Sequence, residues 1–211
     1  MKMIKETPNV YEKVVKTYID QIPHSRLTWF VLRNILSHVT ETEKIIYEDL
    51  SPNKAFMIIP DLKWDQQSLS SLYVLAIVQD PSIRSLRDIT PIHLSLLKAI
   101  AIDGTRAVQA RYGVPKEELR LFVHYQPSYY QFHVHIVHIE HTGFPGVATG
   151  QAHLLDDIIE NLEQEILQKP IPEKSFYARR TFTYALGENH EMFEKLWEAT
   201  KACHSIPSDL S

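Results

Sequence analysis

Leu119-Arg120-Leu121-Phe122-Val123-His124-Tyr125, followed by Gln126-Pro127-Ser128-Tyr129-Tyr130 and then Gln131-Phe132-His133-Val134-His135-Ile136-Val137-His138-Ile139, is the stretch on which the fold turns. It reads as two strands, Leu119 to Tyr125 and Phe132 to Ile139, separated by turn residues. Side chains alternate along a strand, so His133 and His135 share one face while Val134, Ile136 and His138 point to the other. His124 lies beside the first pair if the two strands are neighbours.

Working outward, a helix starts at Thr90 with Pro91 in its first position and ends before Gly113, the expected order of cap, proline and terminating glycine. Its positions Leu94, Leu97, Ala101, Gly104 and Val108 recur at steps of three and four, giving one buried face. Farther upstream, Lys44 to Glu48 and Ala55 to Ile59 flank Asp49-Leu50-Ser51-Pro52-Asn53-Lys54, which is turn chemistry, and predict a β-hairpin. Residues 1–26 read as a lead-in segment or hinge, followed by a helix at about Leu27 to Val39. Downstream, a helix from about Gln151 to Leu167, a strand from Tyr177 to Leu186 and a closing helix from Glu191 to Lys201 are expected. The order is not a regular βαβ alternation, so the predicted class is α+β, an antiparallel sheet with flanking helices.

Composition narrows the function classes. Of 211 residues, 44% are hydrophobic and 23% charged, close to globular averages. The one cysteine, Cys203, cannot form an internal disulfide, and Met1-Lys2-Met3-Ile4-Lys5-Glu6 lacks the apolar core of a signal peptide, so an intracellular protein is expected. No apolar run reaches the roughly 18 residues of a membrane span; Tyr73 to Val78 has strand length. With 22 basic against 26 acidic residues the net charge is −4, which argues against a broad footprint for duplex nucleic acid. The unusual count is 11 histidines, of which His124, His133, His135, His138 and His141 fall within 18 positions.

Three chemistries compete for that cluster. The histidines could be satisfied or solvent-facing residues of a half-exposed sheet, the reading that suits His138 and His141. They could hold a metal: His133-Val134-His135 with Glu140 has a spacing like the first cupin signature, and imidazole plus carboxylate suits iron, manganese or zinc. That pattern expects a glycine where Pro127 stands, and alternation aims Glu140 with His138, away from His133. The third chemistry is attack on phosphorus. An imidazole with a reference pKa of roughly 6.5 is largely neutral and nucleophilic at neutral pH, and a second one can neutralise phosphate oxygens or assist the leaving group.

Pro127-Ser128-Tyr129-Tyr130-Gln131-Phe132-His133-Val134-His135 resembles the histidine-triad motif of the scavenger mRNA decapping enzymes, His-x-x-Pro-Ser-Tyr-Tyr-His-x-His-x-His. Further blocks resemble the same family in the same order: Ile59-Pro60-Asp61-Leu62-Lys63-Trp64, Ile83-Arg84-Ser85-Leu86-Arg87-Asp88-Ile89-Thr90, Ala152-His153-Leu154-Leu155, Ile158-Ile159-Glu160-Asn161-Leu162-Glu163 and Arg180-Thr181-Phe182-Thr183-Tyr184-Ala185-Leu186. The resemblance implies an α+β histidine-triad domain over 27–211 that dimerises and uses no metal or other cofactor. It makes His133 the nucleophile on the phosphate attached to 7-methylguanosine, forming a covalent nucleotidyl intermediate. His135 becomes the last triad histidine, His124 an upstream phosphate contact, and Ser128 and Tyr129 residues along the triphosphate path.

The implied cap pocket has a physical rationale. A 7-methylated guanine is cationic and stacks on an indole, worth roughly 2 kcal/mol when desolvated. Its N1 and N2 protons suit a carboxylate and its O6 suits a donor. Trp29 matches the family's stacking residue, Glu41 its base-reading glutamate, and Asp61 and Lys63 its Pro-Asp-Leu-Lys pocket. Two departures stand out. Gln131 occupies the position of the first triad histidine, where an amide can hydrogen-bond but carries no titrating proton. The family also has an amino-terminal domain that closes over the cap, and this chain starts close to where that domain ends. The resemblance implies hydrolysis of the residual 7-methylguanosine cap, as a dinucleotide or short capped RNA, in cytoplasm and nucleus. A general histidine-triad hydrolase of dinucleoside polyphosphates or phosphoramidates, and a cap-binding module without catalysis, are the alternatives.

Overall fold

The computed structural model describes residues 1–22, 42–142, 150–170 and 172–204. The helix expected at about Leu27 to Val39, with Trp29, and the residue Glu41 lie outside the described residues. In chain order the elements are β1 (Lys2–Glu6), a helical run α1 over 8–21, β2 (Tyr47–Asp49), β3 (Phe56–Pro60) and β4 (Tyr73–Val78). A long helical run α2 over 91–112 follows, then β5 (Leu119–His124), β6 (His133–His138) and β7 (Ala152–Leu154). The helices α3 (Leu155–Leu167) and α4 (Phe176–Arg179), the strand β8 (Phe182–Leu186) and the helix α5 (Phe193–His204) complete the set.

Six strands form one antiparallel sheet in the order β2-β3-β4-β6-β5-β7. Every residue of β3, β4 and β6 is buried, as expected of central strands covered on both faces. The edges, β2 and β7, are three residues each, short enough to offer little open backbone to another chain. The architecture is therefore α+β with an antiparallel sheet and flanking helices, as the element order predicts.

Helix α2 covers one face of the sheet, and Gly104 packs directly against it. A Cβ at that position would stand 3.3 Å from Ile136 and 3.5 Å from Ile58. Since Ile136 and Val134 look toward α2, alternation turns His133 and His135 to the opposite face. Antiparallel register places Leu75 beside His135 and Ile77 beside His133 on β4, and Phe122 beside His135 on β5. Helix α2 ends at Gly113, whose φ of 75° is the left-handed cap that glycine adopts freely. The hairpin forms one to three residues later than predicted, with Asn53 in the left-handed region at φ 63° and Ser51 N–H donating to Asp49 Oδ1 at 2.7 Å.

Three boundaries need correction. The helix expected from Gln151 starts only at Leu155, because Ala152–Leu154 pairs with β5 as the sheet edge. The strand expected from Tyr177 starts at Phe182. Ser175 caps the short helix α4 instead, its hydroxyl accepting from the Ala178 N–H at 3.4 Å. Residues 2–21, expected as part of a lead-in segment or hinge, contribute to the core: β1 pairs with β8, and Ile4, Val15 and Ile19 are buried.

The β1–β8 ribbon is tied to the main sheet through one buried carboxylate. Glu6 accepts from Arg87 Nη2 at 2.7 Å, Tyr184 Oη at 2.6 Å, Gln126 Nε2 at 2.8 Å, and from the Tyr125 hydroxyl. Gln126 in turn accepts from the Tyr130 hydroxyl at 3.1 Å. The start of the β5–β6 connection is thus fixed from beneath by residues far away in sequence.

Candidate active site

His133 and His135 project from β6, and His124 from β5, into a cavity of about 340 Å³ that also touches Asp61, Lys63, Tyr73, Ser128 and Tyr129. The ring centroids of His124 and His135 are 4.0 Å apart, and those of His133 and His135 are 4.8 Å apart. The neighbouring-strand pairing anticipated for His124 is therefore what assembles the cluster.

His133 has a defined tautomer. Its Nδ1 lies 2.7 Å from the backbone carbonyl of Gln131, which can only accept, so Nδ1 carries the proton and Nε2 keeps a lone pair. Tyr129 stacks on the ring at 4.3 Å with an interplanar angle of 15° and holds its plane. Burial pushes the His133 pKa down to about 4, and repulsion from His124 adds to this against the Gln131 hydrogen bond. His135 is likewise held well below the usual imidazole value, by burial first and then by His133, His124 and Lys63. Both rings are neutral at neutral pH, so His133 presents an unprotonated nitrogen suited to nucleophilic attack.

His135 is held differently. Its Nδ1 is 2.7 Å from the Tyr73 hydroxyl, its ring stacks on Phe122 at 5.0 Å, and its Nε2 is buried with no partner among the described residues. An unsatisfied buried group of this kind costs about 1–3 kcal/mol, which an incoming oxygen would relieve.

Among the described residues, two loops contribute to the rim. After β3, Asp61 N–H donates to the Tyr73 carbonyl at 2.9 Å, and the Asp61 side chain accepts from Lys63 N–H at 2.8 Å. This turn brings Asp61 and Lys63 both to the cavity lining. From the β5–β6 connection come Ser128, exposed, and Tyr129, half-buried. The structure thus brings together His124, His133, His135, Asp61, Lys63, Ser128 and Tyr129.

Gln131 is placed elsewhere. Its side-chain amide donates to the carbonyls of Val78 and of Asp80, the latter at 3.1 Å, and it does not line the cavity. A direct substrate contact from this side chain is not what the geometry gives. The orienting bond to His133 comes from the backbone of position 131, so glutamine supplies it as well as histidine would.

Glu140, weighed as a metal ligand, is exposed past the strand end, where its N–H donates to His138 Nδ1 at 3.2 Å. Among the described residues no group of three or more histidine, cysteine, aspartate or glutamate side chains is placed to hold a metal ion. No helix of the described residues is long and apolar enough to cross a membrane. His138 and His141 serve the frame: His138 Nε2 lies 3.4 Å from Glu118, and His141 Nδ1 donates to the Ser71 carbonyl at 2.8 Å. Tyr73 and Phe122 were not legible as site residues. Both sit in apolar runs that read as core, and only strand pairing puts them against His135.

The His133 shift carries a stability consequence. The folded value is about 4 and the unfolded one about 6.5, so on acidification the unfolded chain binds a proton first. Its contribution is fully present above the unfolded value and is lost progressively as pH falls toward 4, amounting to roughly 3 kcal/mol. Urea midpoints at pH 7 and pH 4.5 should differ accordingly, and the His133→Asn variant should show a shallower pH dependence than the parent chain. Equal slopes for the two proteins would contradict a neutral buried His133.

A family model described as "Scavenger mRNA decapping enzyme C-term binding" matches residues 31–149. The m7GpppX diphosphatase of Schizosaccharomyces pombe is 40% identical over 195 residues, 92% of this chain and 61% of that protein. The m7GpppX diphosphatase of Sus scrofa is 39% identical over 204 residues, 96% of this chain and 56% of that protein. This chain therefore spans less than two thirds of the length of these relatives. A solved structure, Hnt3 in complex with DNA and guanosine, is 16% identical and superposes with a TM-score of 0.45 over 82% of this chain and 95% of that one.

Proposed function

The chain belongs to the scavenger mRNA decapping enzyme family, and from that premise we propose that it hydrolyses the residual 7-methylguanosine cap, as a dinucleotide or on a short capped RNA. The observation that carries this reading is His133 itself: Nδ1–H anchored on the Gln131 carbonyl, Nε2 unprotonated, at a cavity shared with His124 and His135.

The chemistry follows from that arrangement. His133 Nε2 attacks the phosphorus bonded to the 7-methylguanosine ribose; a nitrogen–phosphorus bond forms while the bond from that phosphorus to the bridging oxygen breaks. The diphosphate-ended product leaves with the electron pair. Water then cleaves the nitrogen–phosphorus bond, releasing 7-methyl-GMP and restoring the imidazole. Phosphoryl transfer depends mainly on positioning and charge stabilisation, which His124, His135 and Ser128 supply around the phosphate chain. Asp61 and Lys63 read the methylated base at the rim, Asp61 accepting from its N–H groups and Lys63 donating to O6. Trp29 and Glu41 complete that pocket in this reading. The same reading makes the protein a homodimer of cytoplasm and nucleus. The net charge of −4 supports a pocket for an RNA end in place of a groove for duplexes.

Mass spectrometry of a capped dinucleotide digested in ¹⁸O-water tests the proposal. Label is expected in 7-methyl-GMP and absent from the diphosphate product. Label in the diphosphate product would overturn the point of attack, and no product over hours would favour a binding module. Equal turnover of methylated and unmethylated caps would favour a general dinucleoside polyphosphate hydrolase.

A further inference from the structure

We propose that Tyr73 is a positioning residue for this reaction: its hydroxyl donates to His135 Nδ1 and so holds His135 in the Nε2–H form, keeping a hydrogen-bond donor ready for a phosphate oxygen. The inference rests on the decapping reading for its substrate, and for the tautomer on the Tyr73–His135 contact together with the relative acidity of its two partners.

The two atoms are 2.7 Å apart in a buried setting, and the rings meet at 5.6 Å. Between a phenol and a neutral imidazole the direction of the proton follows from acidity. The phenolic O–H is the stronger donor and the imidazole nitrogen the stronger acceptor. Burial pushes the Tyr73 hydroxyl up, beyond the usual phenol value, so it keeps its proton. With Nδ1 accepting, the proton of neutral His135 resides on Nε2, the nitrogen that is buried without a partner among the described residues.

The neighbours explain why this matters. His133 faces His135 from the same strand, His124 and Phe122 from β5, and Asp61 and Lys63 from the turn after β3. His133 is pinned through Nδ1–H as a lone-pair nucleophile; His135 is pinned through the same ring position with the opposite polarity. Two identical side chains, two residues apart on one strand, are set as acceptor and donor by the groups behind them. The opposite tautomer of His135 would present a second lone pair to the phosphate oxygens and repel them.

The experiment uses the 211-residue chain with ¹⁵N-labelled histidine, His135 being assigned by the signals lost in His135→Gln. The parent chain is expected to show a bare Nδ1 and a protonated Nε2 at His135, and Tyr73→Phe to lose that preference. With a capped dinucleotide, Tyr73→Phe should lower kcat about tenfold or more with KM changed less than about threefold, the split expected of a contact realised in the transition state. A protonated Nδ1 at His135 in the parent chain overturns the proposal whether or not the variant folds. So does a folded Tyr73→Phe chain with parental tautomer and kcat. Should the parent chain turn over no cap, the nitrogen spectrum still decides the tautomer, and the failure then belongs to the decapping reading.

Discussion

Replacing His133 by asparagine is expected to abolish turnover of a capped dinucleotide, with a loss on the order of 10⁴-fold or more in kcat, while 7-methyl-GDP binding changes less than about threefold. Asparagine keeps a side-chain N–H near the position of Nδ1, so the bond to the Gln131 carbonyl can persist and Tyr129 keeps a flat partner to stack on. What is removed is the nitrogen that forms the bond to phosphorus in the proposed mechanism, the one whose lone pair the Gln131 carbonyl holds in place. In the proposed tautomer His135 Nε2 carries a proton, and Gln131 is turned toward the carbonyls of Val78 and Asp80. Rapid-quench kinetics at saturating enzyme, paired with a fluorescence titration of 7-methyl-GDP, separate the two quantities. More than a few per cent of parental kcat in His133→Asn would remove His133 from the role of nucleophile.

The sequence made the sheet strands and the histidine face readable for a local reason. Alternation is a property of a strand by itself, so His133 and His135 could be assigned to one face before any partner was known. The same holds for α2, whose cap, proline and glycine lie within its own span. What stayed hidden depends on distant pairing. Tyr73 and Phe122 join the site because β4 and β5 flank β6, and nothing in Tyr73-Val74-Leu75-Ala76-Ile77-Val78 distinguishes a site tyrosine from a core one. Ala152–Leu154 reads as helix from its own sequence, yet the open edge of β5 recruits it as a strand. The resemblance to scavenger decapping enzymes located Ser128, Tyr129, Asp61 and Lys63 at the cavity. It gave no physical reason for Gln131, whose backbone, not its side chain, serves the nucleophile.

The largest stability effect is expected from Arg87→Met. Arg87 is 4% exposed and Glu6 fully buried, two charges that water cannot solvate. The guanidinium gives Nη2 to Glu6 at 2.7 Å and Nη1 to the carbonyls of Tyr177 at 3.0 Å and Arg180 at 2.6 Å, and it lies over the Phe182 ring at 4.6 Å. Methionine fills similar volume but strands the Glu6 carboxylate without a counter-charge, a loss of about 3–5 kcal/mol. Against a typical total of roughly 5–15 kcal/mol, that is a third or more of the stability in many cases. That loss belongs to the stranded charge; on a neutral view of the pair itself, its two charges together add little stability and only specify how the β1–β8 ribbon docks. A double-mutant cycle measures the pair. Glu6→Gln combined with Arg87→Met removes both charges, and on the neutral view should recover most of the loss. Because Glu6 also holds Gln126, and Gln126 the Tyr130 hydroxyl, the double variant should regain stability before it regains kcat. The connection carrying Ser128 and Tyr129 would still rest on a weakened support. Urea unfolding followed by circular dichroism gives the first quantity and cap turnover the second. A single Arg87→Met variant within about 1 kcal/mol of the parent would show that the buried pair does not hold the ribbon to the sheet.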